Sequence, residues 1–234
     1  LEALAKAGYQ GVEGTIDHGE TKGEWEDTRK RMEDIGLAVA GLSCRHNREA
    51  EIGPVIEKAK VLGCELIMTY WGPAESEDQL KSDAEVLEAL AVRCSEAGLK
   101  YCYHNHEHEF ATKFGKGGNT YAIDILLENA PHLYLELDVA WCRFGGTDPV
   151  QFIRQRGDRI PIIHVKDLWD LNVRGRFAAV GTGQVECYAC IDAAAAKGTQ
   201  WMVVEQDRPN NLSPFESALA AIYNLREAGL VQPG

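Results

Sequence analysis

The sequence contains no apolar run approaching the roughly 18 residues that a membrane-spanning helix requires. Its N-terminus also lacks the basic stretch followed by an apolar stretch that is typical of a signal peptide. Basic residues are few, since 24 Lys and Arg stand against 36 Asp and Glu and give a net charge of −12. Nucleic-acid binding depends largely on cationic side chains that neutralise phosphates. We therefore expect a cytoplasmic protein, without a membrane or nucleic-acid partner, that acts on a small and roughly neutral molecule.

Two further signatures are missing. No G-x-G-x-x-G follows a first strand, which argues against a dinucleotide-binding doubly wound sheet. The seven cysteines are odd in number and scattered through predicted strands and helices, so a disulfide framework is not expected. Cys187 and Cys190 form one C-x-x-C, but neither a second pair nor a nearby His accompanies it, which disfavours a zinc or redox role.

What the chain does contain is a regular alternation of apolar strand-like segments and helical segments. The predicted strands are GVEGT, LAVAGLSC, ELIMTYWG, LKYCYHNH, LYLELDVAW, IPIIHVKD and WMVVEQD. All seven are apolar enough to be buried on both faces, as in a parallel sheet covered by helices. The sequence therefore predicts a single α/β domain over residues 1–234, a (β/α)8 TIM barrel. An open doubly wound sheet is the alternative fold.

A closed barrel of this type needs eight strands, and the one that is missing from the pattern is the first. Residues 1–9 already have a helical pattern, and neither Met nor a strand precedes them. We therefore expect a barrel that lacks its opening strand in this chain. Without that strand, GVEGT and WMVVEQD would be unpaired edges.

Five predicted strands end in polar residues that can bind a metal or transfer a proton. These residues are Glu13, His104, His106, Asp138, His164, Lys166 and Glu205. The carboxyl ends of parallel strands converge at one mouth of a barrel, where active sites form. Carboxylates mixed with imidazoles, without a thiolate, favour one divalent cation of intermediate softness such as Mn²⁺, Co²⁺ or Zn²⁺, with Mg²⁺ as a further alternative.

A structural role is the simpler interpretation of each residue taken alone. An Asp at a strand end often caps a helix, and a His on a strand is often a packing residue. The recurrence at four equivalent positions is what favours a site. Trp71 and Trp141 lie at or just past strand ends, where an aromatic ring either covers the core or stacks on a sugar, and both interpretations stay open. The glycine-rich sequence VGTGQVE at residues 180–186 predicts a loop between a strand and a helix.

The motifs GVEG, YHNHEHEF, LDVAW, HVKD, VGTGQVE and VVEQD occur in an order that resembles the xylose isomerase-like barrel superfamily. This superfamily of sugar phosphate isomerases and epimerases includes tagatose epimerases, hydroxypyruvate isomerases and inosose dehydratases. The resemblance implies one divalent metal held by Asp138, His164 and Glu205. His104 takes the fourth ligand position, where the superfamily usually has Glu.

The resemblance also implies roles in catalysis. Glu205 is expected to be the general base and His104 or His106 the opposing acid or base, while Lys166 holds a substrate oxygen. Glu13, Trp71, Trp141 and Lys166 are the expected substrate contacts.

The implied reaction is isomerisation or epimerisation of a sugar or keto-sugar through an enediolate. A dehydratase or lyase acting on a keto-sugar, keto-glycoside or inosose is the alternative, because inosose dehydratases share the His-rich fifth strand. A non-catalytic or partner-dependent barrel subunit is an alternative of another class, and the acidic charge disfavours a three-zinc DNA-repair phosphodiesterase. Whether the protein is a homo-oligomer stays open.

Overall fold

The computed structural model describes residues 1–14, 18–44, 49–70, 72, 74–208 and 210–231, with the backbone alone for 49–51. The chain divides into two compact units. The first comprises Leu1–Ala5, Tyr9–His104 and Thr112–Tyr134, and the second Lys6–Gly8, Asn105–Ala111 and Leu135–Gly234. The single domain expected over residues 1–234 stays a prediction.

The first unit contains a four-stranded parallel sheet. Its strands, in spatial order, are Gly11–Glu13, Ala38–Ser43, Leu66–Thr69 and Lys100–His104. The helices between and after them are Lys22–Asp34, Glu49–Leu62, Glu77–Glu96 and Ala122–Asn129. A short antiparallel pair, Lys113–Phe114 with Thr120–Tyr121, precedes the last of these helices. The chain opens with the helix Glu2–Ala7.

The core of the first unit lies between the sheet and its helices. Ile67 and Tyr101 on neighbouring strands are fully buried. Leu87, Leu90 and Ala91 recur at helical spacing in Glu77–Glu96 and are buried together, as their period predicts.

The second unit contains three parallel strands, Tyr134–Asp138 without its first residue, Ile162–Val165 and Trp201–Val204. Its helices are His108–Ala111, Val139–Phe144, Pro149–Arg156, Cys187–Ala196 and Pro214–Glu227, with a 3-10 turn at Gly157–Arg159. Ser213 begins the last helix with a reciprocal capping box to Glu216. A short antiparallel pair, Asp167–Leu168 with Phe177–Ala178, follows the middle strand.

The predicted strands all occur, but most of them are shorter than expected. The segment predicted as a strand through Trp141 instead turns into a helix after Asp138, because the Asp138 carboxylate caps the first turn of Val139–Phe144. The strand LKYCYHNH ends at His104, so His106 lies in a loop. Within the described residues, no helix is both long and apolar enough to cross a membrane.

Candidate active site

Strand ends of the second unit bring four polar residues together. Side chains alternate along a strand, so Glu136 and Asp138 share one face. His164 lies on the neighbouring strand, where its Cα is the register partner of Asp138, and Lys166 follows two residues later. All four side chains are buried. Buried charged groups must be paired, and here Lys166 pairs with Asp138 and His164 lies beside Glu136.

The two carboxylate oxygens of Asp138 have different partners. Oδ1 accepts a hydrogen bond of 2.9 Å from the Trp141 backbone N–H, and Oδ2 lies 2.9 Å from Lys166 Nζ. The Asn105 side chain holds the backbone of Asp138, since its Oδ1 accepts the Asp138 N–H at 2.9 Å and its Nδ2 donates to the Asp138 carbonyl at 3.3 Å. Asp138 is therefore both the helix cap of the structural interpretation and a member of the polar cluster.

Lys166 is the centre of that cluster. Its Nζ lies 2.9 Å from Asp138, 2.5 Å from Glu205 and 2.7 Å from Asp207. The ammonium group also lies 5.0 Å from the centroid of the Trp141 ring. Burial lowers the pKa of Lys166, but the three carboxylates raise it by more, so the net pKa lies well above that of an ordinary lysine. Lys166 is therefore a fixed positive charge at neutral pH.

Glu205 follows the strand Trp201–Val204 and faces Lys166. Burial raises the pKa of its carboxyl group, while Lys166 and His164 lower it and Asp138 and Asp207 raise it further. The net pKa lies above the usual value. A carboxylate with a raised pKa is a stronger base, which suits removal of a proton from carbon.

Glu136, Asp138 and His164 form the metal-compatible part of the second unit. Ligand atoms of Asp138 and His164 lie within 4.8 Å of each other, and so do ligand atoms of Glu136 and His164. The His164 Nε2 lies 3.2 Å from the buried Glu136 carboxylate. A carboxylate beside a histidine is the usual way to orient a metal-ligating imidazole. Among the described residues, Glu205 belongs to no cluster of three or more ligand residues whose ligand atoms lie within 4.8 Å of one another. Its carboxylate instead contacts Lys166.

The other predicted site residues are placed as follows. His104 and Glu13 end strands of the first unit, and their predicted roles stay predictions. Trp71 lies outside the described residues. His106 belongs to the second unit, where its backbone N–H donates to Glu109 at 2.9 Å and its ring centroid lies 6.2 Å from that of Trp141. Trp141 thus contacts His106, Lys166 and Arg174 from a helix.

Arg174 was not among the predicted site residues. Its guanidinium carbon lies 4.7 Å from the centroid of the Trp141 ring, and its Nε lies 2.5 Å from Glu107. Burial raises the pKa of Glu107, but the hydrogen bond and charge of Arg174, a backbone hydrogen bond and the charge of His106 together lower it by more, so the net pKa lies below the usual value. No sequence signal identified Arg174, because 67 positions separate it from Glu107.

Asp167 organises the glycine-rich loop at 180–186. Its carboxylate accepts backbone N–H groups of Leu168, Gly181, Gly183 and Val185 at 2.8–3.0 Å. A Cβ on Gly183 would overlap this carboxylate. Burial raises the pKa of Asp167, and the four N–H donors act to lower it. The segment is thus a loop before the helix Cys187–Ala196, as predicted, and one carboxylate holds it.

Sequence reasoning also missed Glu136 and Asn105. Glu136 could have been found, because it precedes Asp138 by two positions and so shares its face of the strand. Asn105 lies between two histidines, which are the more obvious candidates for a site. Only the folded chain shows that Asn105 is hydrogen-bonded to Asp138.

Comparisons with known proteins agree on the fold. A family model described as a xylose isomerase-like TIM barrel matches residues 1–227. The chain is similar to an inosose dehydratase from Clostridium tetani, at 26% identity over 179 residues, which cover 68% of this chain and 58% of the relative. The chain therefore spans less than two thirds of that relative's length.

Solved structures show the same fold. A sugar phosphate isomerase/epimerase from Parabacteroides distasonis superimposes with a TM-score of 0.76 at 23% identity, covering 99% of this chain and 88% of that one. The IolI protein with a bound zinc atom superimposes with a TM-score of 0.71 at 18% identity, covering 98% of this chain and 90% of that one. At these identities the likeness concerns the fold alone.

Proposed function

Since the chain belongs to the xylose isomerase-like TIM barrel family, we propose that it is a metal-dependent lyase acting on a keto-cyclitol or keto-sugar. The reaction removes the proton next to the substrate carbonyl and then expels water from the neighbouring carbon. Inosose is the first substrate to test, because the chain is similar to an inosose dehydratase. The His at position 104, where the superfamily usually has Glu, agrees with this choice.

The observation that carries the proposal is the contact of 2.5 Å between Glu205 and Lys166 beside the pair Asp138 and His164. A base with a raised pKa and a fixed ammonium group therefore lie side by side. Glu205 would take the proton from carbon, and Lys166 would hold the oxygen on which negative charge develops. Both groups are needed in the same step.

Asp138 and His164 would hold the metal, with Glu205 as the predicted third ligand. When bound, a divalent cation supplies a positive charge that acidifies the C–H next to a carbonyl and stabilises the negative oxygen left behind. Oxygen and nitrogen donors without a thiolate suit Mn²⁺, our preferred ion, and Zn²⁺, which the IolI protein of similar fold binds. Glu136, whose carboxylate lies 3.2 Å from His164 Nε2, would orient the imidazole.

Isomerisation or epimerisation of a keto-sugar is the second candidate. Lys166 favours it, because an ammonium group with a raised pKa is a poor proton donor to a departing hydroxyl group. Isomerisation needs no leaving group and uses the same first proton transfer. The products separate the two reactions, since dehydration removes one water from the mass of the substrate.

The test is solvent-deuterium exchange into inosose and a panel of ketoses, followed by NMR and mass spectrometry with Mn²⁺ added. Glu205→Gln should slow exchange at the carbon next to the carbonyl by about 100-fold or more, as loss of a general base does. Glu227→Gln, on an exposed position of the last helix, is the matched control and should exchange like the parent protein.

Two results would contradict the proposal. Exchange that is unchanged in Glu205→Gln removes Glu205 from the role of base. Absence of exchange into every compound of the panel, with the metal present, argues for a non-catalytic barrel.

A further inference from the structure

Two neighbouring parallel strands of the second unit end beside each other, since Val204 is the register partner of Val165. Lys166 and Glu205 directly follow these two strand ends and are in contact. Asp207 lies two positions after Glu205, and its carboxylate reaches the same ammonium group. The strand pairing that builds the site therefore also places Asp207 in it, and the proposed function assigns this residue no role.

The three carboxylates around Lys166 are not equivalent. Lys166 Nζ donates a hydrogen bond of 2.7 Å to Asp207 Oδ2. Asp138 Oδ2 and Glu205 Oε2 lie 2.9 Å and 2.5 Å from the same nitrogen as ion pairs. Both of these oxygens are buried, and within the described part of the chain neither takes part in a hydrogen bond. Asp207 is therefore the carboxylate that lies in the direction of a lysine N–H group.

Exposure separates the same three residues. The side chain of Asp138 is 0% exposed and that of Glu205 is 27% exposed, whereas that of Asp207 is 42% exposed. Water solvates part of the Asp207 carboxylate, so this group keeps its charge beside Lys166 at little cost. A buried carboxylate oxygen without a hydrogen bond is costly, and Asp138 Oδ2 and Glu205 Oε2 therefore call for a further positive partner.

The other neighbours of Lys166 Nζ are aromatic. The ring centroids of Trp141 and Phe177 lie 5.0 Å and 5.7 Å from it. An aromatic ring attracts a cation through its face but offers no lone pair to an N–H donor. Of the groups around Lys166, Asp207 is thus the one that fixes the direction of the ammonium group.

We propose that Asp207 is the positioning residue of Lys166. Its hydrogen bond holds the ammonium group, and Asp138 Oδ2 and Glu205 Oε2 stay available to a divalent cation. The inference rests on the proposed function and adds a residue to its site. Without the Asp207 carboxylate, the nearest acceptors of Lys166 are those same two oxygens, so the ammonium group competes with the cation for them.

NMR of the metal-free parent protein tests the hydrogen bond itself. We expect a scalar coupling across the hydrogen bond from Lys166 ¹⁵Nζ to the Asp207 carboxylate carbon, and none to the carboxylate carbons of Asp138 and Glu205. Asp207→Asn should accelerate exchange of the Lys166 ammonium protons with water about tenfold or more, as loss of a charged hydrogen bond does. A coupling to Asp138 or Glu205 in its place, or exchange as slow in Asp207→Asn as in the parent protein, would overturn the proposal.

Calorimetric titration with Mn²⁺ tests whether Asp207 acts through Lys166. Asp207→Asn should weaken Mn²⁺ binding about tenfold, as loss of a residue that supports a metal ligand does. In a Lys166→Met background the same substitution should change the affinity less than about twofold, because no ammonium group is left to hold. An equal loss in both backgrounds would mean that Asp207 acts by its own charge, and the positioning role would be wrong.

Asp158→Asn is the matched control for the titration, because Asp158 pairs with Lys197 at 3.5 Å on the surface of the same unit. It should bind Mn²⁺ like the parent protein. The proposed function fails separately, if the protein binds no Mn²⁺ or if no compound of the panel exchanges deuterium. The NMR coupling and the proton exchange of Lys166 still decide in that case whether Asp207 holds the ammonium group.

Discussion

Single residues of the second unit perform more than one task. Asp138 caps a helix with Oδ1 and contacts Lys166 with Oδ2, so its structural role as a cap leaves one oxygen for the polar cluster. The cap fixes the carboxylate at the strand end, and the remaining oxygen is thereby aimed into the cluster. Rigid placement of this kind is what a metal or substrate site requires.

Glu136 provides a prediction at the residue scale. Because its carboxylate lies 3.2 Å from His164 Nε2, Glu136→Gln should leave the imidazole less well oriented and less basic. Affinity for Mn²⁺ or Zn²⁺ should fall by about 10- to 100-fold, as is typical when the partner of a metal-ligating histidine is changed. Isothermal titration calorimetry measures this directly.

The control for this prediction is Glu128→Gln, an exposed position on a helix of the first unit. It should bind metal like the parent protein. Equal affinity of Glu136→Gln and Glu128→Gln would show that Glu136 does not support a metal ligand.

The loop at residues 180–186 of the second unit depends on the Asp167 carboxylate for several of its hydrogen bonds. Four backbone N–H groups converge on this carboxylate, and three of them belong to the loop that precedes the helix Cys187–Ala196. The loop has no regular secondary structure of its own to satisfy these groups. One side chain therefore accepts three of the backbone N–H groups of the loop.

Asp167→Asn should destabilise the protein by about 2 kcal/mol, because an amide offers one acceptor oxygen where the carboxylate offers two and leaves buried N–H groups unpaired. Hydrogen exchange at Gly181, Gly183 and Val185 should accelerate more than exchange elsewhere. Asp192→Asn, on the exposed side of the following helix, is the control. Unchanged protection of the three amides would mean that other contacts hold the loop.

The molecule as a whole buries all seven of its cysteines as free thiols. Burial raises the pKa of Cys64 to about 11 and the pKa values of Cys94 and Cys190 to about 12. Each folded pKa lies above its unfolded value, so the folded state holds protons that the unfolded state releases. The stability from these thiols is complete below the unfolded pKa and is lost as the pH rises through the folded pKa.

The free energy of unfolding should therefore decrease between pH 8 and pH 10, by about 1 kcal/mol for each of these thiols. Urea denaturation at the two pH values measures the change. Cys64→Ala should show a shallower dependence on pH than the parent protein. A free energy of unfolding that is constant over this range would contradict the expected burial.

The sequence by itself determined the succession of strands and helices, because the apolar period and the helix-ending glycines are local signals. Gly36, Gly63 and Gly98 follow the helices Lys22–Asp34, Glu49–Leu62 and Glu77–Glu96, and all three have positive φ. It also predicted that Asp138, His164, Lys166 and Glu205 lie close together, since parallel strands place their carboxyl ends alike, and the contacts of Lys166 with Asp138 and Glu205 agree with this.

Only the tertiary structure decided how these residues are paired. Lys166 contacts Asp138 28 positions before it and Asp207 41 positions after it, and no local period encodes such contacts. The same holds for Asp167, which binds a loop up to 18 residues away. Hydrogen bonds and ion pairs form between groups that the packed fold brings within about 3 Å, so their partners follow from packing and not from sequence spacing.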